Sequence, residues 1–322
     1  MIISIFIPHG GCPERCSFCN QAVSGGTPVS VNRVAETITK HLSTARPGET
    51  VDVAFYGGTF TALSREVQTR YLDAAAEFFD RGVSGVRMAT RPDALDEDWL
   101  KVLKERYRLK AVELGVQSFN HRVLRALGRS HINEQLERGC ALLERLSIPY
   151  GFHLLVGCPG EGSWEEERSL TACALKRLMP HFIRVHPLLV LKGTALELQW
   201  ICGAFQPLSV EEAVERCADL AEDCEKLSIP VVRWGLQPNE FMEAGGQLAG
   251  PYHPAFGELV MSSRWRRRLQ VLLSTLPTAA PLRVSAPRRE WGWVRGHKSS
   301  NISWLGSVAP GRSLEIVELA LV

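Results

Sequence analysis

The sequence predicts an α/β fold: a parallel sheet, closed or partly closed into a barrel, with helices on its outer face and a small C-terminal extension. Three observations carry this. Short apolar runs alternate with amphipathic segments between residues 2 and 190, and right-handed βα crossovers make successive strands parallel. The 322 residues are 45% hydrophobic, enough for one large core or two modest ones. From about Gly250 acids thin out and Trp and Pro become frequent, which marks an appended unit.

The first run, IISIFIP (2 to 8), is too short for a signal-peptide core, lacks a basic leader and ends at Pro8, so it reads as a buried strand. Further strands are expected at 51 to 58, 85 to 92, 111 to 118, 149 to 157 and 181 to 190. Amphipathic helical patterns lie between them, near 31 to 45, 64 to 80, 96 to 107, 120 to 146 and 163 to 178. Ser64 and Ser163 stand where N-caps belong. A helix over 209 to 227 and the strand IPVVRWG follow, with no repeats or low-complexity tracts. In such folds function belongs at the carboxyl ends of the strands.

A net charge of +2 neither demands nor excludes a polyanionic partner. No apolar run approaches the roughly 18 to 20 residues that span a bilayer. Nine cysteines without a signal peptide argue against a disulfide framework and for reduced thiols in the cytoplasm.

Directly after the first strand, GGCPERCSFCNQ places Cys12, Cys16 and Cys19 in a CxxxCxxC loop. Gly10, Gly11 and Pro13 favour an irregular backbone in which thiolates converge. Three chemistries suit it: a Cys16–Cys19 redox pair, a Cys3His zinc site completed by His9, or a 4Fe-4S cluster held by three thiolates, with one iron open. The remaining cysteines, Cys140, Cys158, Cys173, Cys202, Cys217 and Cys224, lack close pair spacing, so a second cluster is not expected.

CxxxCxxC with an aromatic, Phe18, before the last Cys resembles the radical-SAM superfamily. That resemblance implies a partial (β/α)6 TIM-like barrel of the radical-SAM type over residues 1–240, with a small C-terminal α+β extension over 241–322. It also implies a 4Fe-4S cluster whose open iron binds S-adenosylmethionine, reductive cleavage to a 5′-deoxyadenosyl radical, and an external electron donor of the flavodoxin or ferredoxin type. YGGTF, containing Gly57, Gly58 and Thr59, resembles the segment that binds the methionine amino group; a tight βα turn is the plainer reading. ELGVQSFNHRVLRALGRSH carries Gln117 and, twelve residues on, Arg129. It resembles the S-adenosylmethionine-contacting segment of the oxygen-independent coproporphyrinogen oxidase and of the Elongator catalytic subunit. GFHLLVGCPGEG resembles the GLPG stretch of the same families and places His153 toward the nucleoside, although a strand histidine is also a common core residue.

VHPLLVLKGTALE and IPVVRWGLQPNE narrow the resemblance to the Elongator subunit and its bacterial relatives, over roughly residues 1 to 240. The Elongator proteins space their cysteines more widely and continue into an acetyltransferase domain, so acetyl transfer is not expected here. Arg91, Lys192, Arg233, Gln237, Asn239, Glu240 and Tyr252 are candidate substrate contacts.

Between 261 and 300 nine Lys and Arg side chains face Glu290 alone, interleaved with Trp265, Trp291 and Trp293. That mixture binds phosphates and stacks bases. It equally describes a solvated helix face beside a Trp core. A tRNA, modified at a wobble uridine, is the leading substrate expectation. Radical chemistry on a small metabolite and a non-enzymatic iron-sulfur or zinc RNA-binding carrier are the alternatives.

Overall fold

Apolar residues recur in the expected strands without helical spacing, and in the computed structural model of the chain they form one parallel sheet. Residues 1–13, 15–21, 29–129, 133–239, 241–276 and 281–319 are described. β1 (Ile2–Phe6), β2 (Val51–Tyr56), β3 (Val83–Thr90), β4 (Leu109–Gln117), β5 (Tyr150–Val156) and β6 (Phe182–Pro187) pair in chain order. Fully buried Ile3, Ile5, Phe55, Met88, Tyr150 and Phe152 form much of the core with residues from the outer helices.

Those helices are α1 (Val34–Leu42), α2 (Arg65–Ala76), α3 (Glu97–Tyr107), α4 (His121–Ala126), α5 (Asn133–Arg145) and α6 (Trp164–Leu178). Ser64 and Ser163 cap α2 and α6, accepting from Val67 N and Glu166 N. The helical pattern expected over 120 to 146 is interrupted: α4 ends in a turn at Gly128, whose φ is +70°, and the chain is redirected before α5.

The strand expected to run to residue 190 ends at Pro187, and β7 (Val190–Leu191) continues as a separate piece. After α7 (Ala195–Ile201), α8 (Val210–Lys226) returns the chain along the outside, started by a Ser209/Glu212 capping box. β8 (Val231–Trp234) then pairs parallel with β6, so the sheet gains a seventh strand beyond the six βα repeats. β1 and β8 are its two edges and do not pair with each other, leaving the barrel open.

β9 (Gln247–Ala249) pairs antiparallel with β7, tying the segment beyond residue 240 to the barrel mouth. Tyr252 packs in an apolar cluster with Leu189, Leu191 and Met242, a stapling role. The last segment comprises α9 (Phe256–Thr275), β10 (Leu282–Ala286), α10 (Trp291–Arg295), α11 (Ser300–Val308) and β11 (Leu314–Glu318). No helix among the described residues is long and apolar enough to cross a membrane.

The basic, Trp-containing stretch resolves mainly in favour of its structural reading. Arg264 and Arg268 both pair with Glu225 of α8, at 2.6 and 2.7 Å. Arg267 reaches Glu215, Asp219 and Glu222 at 2.6, 2.7 and 3.0 Å. Arg266 Nε donates to Asn301 Oδ1 at 3.0 Å. Trp265 lies in the small second core, with Trp291 and Trp293 packed against it. The acids that compensate these arginines come from α8, roughly fifty residues upstream, so a local charge count misses them. Arg288, Arg289 and Lys298 remain exposed, with no ion pair among the described residues.

Candidate active site

The cysteine loop is fastened to the end of β2 by main-chain hydrogen bonds. Ile7 N donates to Tyr56 O at 2.8 Å, His9 N to Gly57 O at 3.0 Å and Thr59 N to Gly10 O at 2.8 Å. The contact is so close that a β-carbon on Gly58 would stand 2.1 Å from Gly10 O, and one on Gly11, at φ +71°, would stand 2.3 Å from Thr59 O. The facing glycines of GGC and YGGTF therefore let two backbones touch. Cys12 Sγ lies 3.5 Å from Thr59 Oγ1. Ser17 bridges two further elements: its N–H donates to Leu127 O at 2.9 Å, and its carbonyl accepts from Leu196 N at 2.8 Å.

The turn after α4 delivers Arg129 to this loop, 92% buried. Its Nη1 donates to Cys16 Sγ at 3.4 Å and its Nη2 to Gly115 O at 2.7 Å. Gln117 is displaced by an irregularity in the β4–β5 register and held at φ +69°. A bulge re-aims a side chain, here into the cavity.

The strand ends and the loop enclose a cavity of about 380 Å³. Cys12, Cys16, Phe18, Cys19, Gly57, Gly58, Thr59, Gln117, Arg129 and His153 all line it, as do Arg91, Arg233 and Gln237. Lys192, Asn239 and Tyr252 do not. Asn239 Oδ1 instead accepts from Met242 N at 3.0 Å, and Glu240 lies outside the described residues. Arg91 is bidentate to Asp93, at 2.9 and 2.8 Å, which fixes its guanidinium at the end of β3.

Several wall residues were not singled out from the sequence. Glu113 is fully buried: its Oε1 accepts from Tyr56 OH at 2.6 Å and Arg87 Nη2 at 3.3 Å, and its Oε2 accepts from Arg184 Nε at 2.7 Å and lies 2.7 Å from His153 Nε2. Burial works to raise the Glu113 carboxyl, but hydrogen bonds and charge from His153 and Arg184 outweigh it and hold it far below the ordinary range. Burial, then Glu113, pushes the Tyr56 phenol up. His186 faces His153, ring centres 5.9 Å apart, and burial followed by His153 pushes it down to about 3, so it is neutral at pH 7. A signal for this group exists: Glu113, Arg184 and His186 interrupt otherwise apolar strands in AVELGVQS and HFIRVHPLLV.

All nine cysteines are free. Burial, then Cys16 and Cys12, pushes Cys19 up to about 12. Thiols that repel one another's ionisation call for a cationic group among them, and bound metal reverses this by deprotonating them. Among the described residues no three His, Cys, Asp or Glu side chains close on a single ion. Cys12, Cys16 and Cys19 come from one loop and all line the cavity, and thiolates are the donors an iron-sulfur cluster takes.

Comparison with known proteins places this site in context. Residues 6–172 match a family model described as the Radical SAM superfamily, and residues 180–266 one described as the radical SAM C-terminal domain. An uncharacterized protein of Methanocaldococcus jannaschii is 28% identical, covering 66% of this chain and 68% of its own length. The tRNA uridine(34) acetyltransferase of Methanocaldococcus infernus is 25% identical over 66% of this chain but only 48% of its own length. Bacillus subtilis HemZ, an oxygen-independent coproporphyrinogen-III oxidase-like protein, is 28% identical over 58% and 39%. This chain thus spans half or less of the last two relatives. In fold, the archaeal Methanocaldococcus infernus Elp3 superposes with a TM-score of 0.65 at 22% identity, covering 83% of this chain and 63% of that one.

Proposed function

Because this chain belongs to the radical SAM superfamily, and is therefore an enzyme using a 4Fe-4S cluster and S-adenosylmethionine, we propose that Cys12, Cys16 and Cys19 hold the cluster and that the cavity beneath them receives both S-adenosylmethionine and substrate. When bound, these cofactors supply a 5′-deoxyadenosyl radical that abstracts a hydrogen atom from the substrate. The observation that carries the proposal is the convergence of three thiols, Arg129, Gln117 and the Gly57–Thr59 segment on one cavity at the strand ends.

The residues divide the work. Arg129, bonded to Cys16 and to the β4 backbone, places positive charge beside the thiolates and holds a donor toward an incoming carboxylate. The Gly57–Thr59 segment lines the cavity, and its glycines let the cysteine loop lie directly against it. His153 presents its ring to the cavity while Glu113 fixes its orientation. Leu155, Leu188, Leu189 and Leu191 keep the remaining wall apolar, which excludes water from a reactive radical.

The test is anaerobic reconstitution with iron and sulfide, followed by dithionite and S-adenosylmethionine. 5′-Deoxyadenosine should form, and Cys16→Ala should abolish both its formation and the brown absorbance. A colourless zinc-containing protein would sink the proposal.

For the substrate, similarity to tRNA uridine(34) acetyltransferases supports a tRNA wobble uridine as the target of the radical step. Exposed Arg288, Arg289 and Lys298 remain available to phosphates. Binding should weaken steeply with salt. A small metabolite is the second reading, favoured by the pairing of Arg264, Arg267 and Arg268 with α8. Mass spectrometry of nucleosides and metabolites from cells lacking the protein separates the two.

A further inference from the structure

The cavity wall is unevenly charged. Four arginines line it, Arg91, Arg129, Arg184 and Arg233, against one carboxylate, Glu113. Three have visible tasks: Arg91 grips Asp93, Arg129 serves Cys16 and Gly115, and Arg184 is bonded to Glu113. Arg233 differs. It is half-buried, pairs in strand register with Arg184, and has no carboxylate partner among the described residues. Among the described residues its side chain makes one long hydrogen bond, Nε to Gly235 O at 3.4 Å.

Like charges abreast on neighbouring strands are unfavourable. Arg184 has Glu113 to offset this, whereas for Arg233 burial and then Arg184 disfavour the charged form. A fold that keeps such a cation facing a cavity leaves it in want of an anion. The S-adenosylmethionine carboxylate is not that anion, because it must approach the cysteines. Those follow β1 at one edge of the sheet, with Arg129 beside them, while Arg233 stands on β8 at the opposite edge. Near Arg233 the wall offers the amide of Gln237 and the apolar Leu236.

We propose that Arg233 forms an anion-binding subsite that anchors a phosphate or carboxylate group of the substrate in the cavity, apart from the cofactor. This rests on the reading of the cavity as the radical SAM active site. It narrows the substrate to a molecule whose anionic group is held by β8 while an apolar or planar part lies on the leucine wall. A nucleotide meets that description, and so does a carboxylated metabolite.

The test is calorimetric titration of the full-length, cluster-loaded protein with uridine 5′-monophosphate, uridine, inorganic phosphate and succinate, with S-adenosylmethionine titrated in parallel. Arg233→Gln should weaken the bound anion by about tenfold to a hundredfold, the value of one charge-assisted hydrogen bond. Arg233→Lys should restore part of the loss, and S-adenosylmethionine affinity should not move. Whichever of phosphate or carboxylate shows this dependence defines the class. Melting temperature should hold or rise in Arg233→Gln, because an uncompensated charge is removed. A fall in melting temperature with anion binding unchanged would overturn the proposal in favour of a structural arginine. Loss of S-adenosylmethionine affinity would assign the residue to the cofactor instead, and absence of Arg233-dependent binding by every probe would also overturn it. None of these readings requires turnover, so failure to form 5′-deoxyadenosine would count against the radical SAM assignment of the site separately.

Discussion

Replacing Glu113 by Gln removes one negative charge from a fully buried position and leaves Arg184, Arg87 and Tyr56 pointing donors at it. Arg87 keeps a second carboxylate, Asp52, at 3.7 Å; Arg184 has no other ion pair among the described residues. Breaking a buried pair by removing one partner costs about 3–5 kcal/mol. The Gln amide also presents a donor where only an acceptor fits, so the upper half of that range is expected. At about 2–4 °C per kcal/mol for a chain of this size, the melting temperature should fall by roughly 10 °C. The pH dependence has a definite sign. The folded carboxyl is held below the ordinary value of 4.5, so its contribution is complete above that pH and is lost as pH falls toward the folded value. Calorimetric melting of both proteins from pH 7 to pH 3 should therefore show the wild type losing stability below about pH 4.5, with the gap to Glu113→Gln narrowing. A variant that melts within 2 °C of wild type at pH 7, or a gap that widens on acidification, would show that the network does not hold the barrel interior together.

Other consequences follow from the same contacts. Gly58→Ala pushes a methyl into Gly10 O, 2.1 Å from the ideal β-carbon, so the cysteine loop must shift. Helical content by circular dichroism should survive while iron incorporation collapses, and normal iron content would refute the close-approach argument. Asn301 is fully buried, donates to Ser262 O, Trp293 O and Val294 O and accepts from Arg266. Asn301→Ala should cost about 2–3 kcal/mol by stranding these groups, read from denaturant midpoints. Arg267→Gln should cost roughly 1 kcal/mol, because Glu215, Asp219 and Glu222 lose a shared cation while Asp219 keeps Arg168 and Glu215 keeps Ser263. It should leave tRNA affinity unchanged, whereas neutralising Arg288 and Arg289 together should weaken tRNA binding in filter or fluorescence assays.

Much of the site was legible because its chemistry is written in short segments. Cys12, Cys16 and Cys19 lie within eight residues, and no other pattern of thiols in the chain competes with them. Gln117 and Arg129 belong to one βα unit, so a single segment carries both. The wall opposite was harder. Arg184 and Glu113 are seventy-one residues apart and meet because strands β4, β5 and β6 are neighbours in a curled sheet. Each alone reads as an odd charge in an apolar strand. The basic segment of α9 was misleading for the converse reason, since its counter-ions sit on α8.

By itself the sequence determined the alternation that builds the sheet, the three thiols and the residues that accompany them, since these depend on period, turn chemistry and local spacing. Tertiary structure alone decided which charges are satisfied. It paired Arg267 with α8, gathered His153, Arg184 and Tyr56 around Glu113, and left Arg233 facing the cavity with no carboxylate partner among the described residues. Electrostatic compensation is a matter of distance in space and of burial, and neither can be counted along a chain.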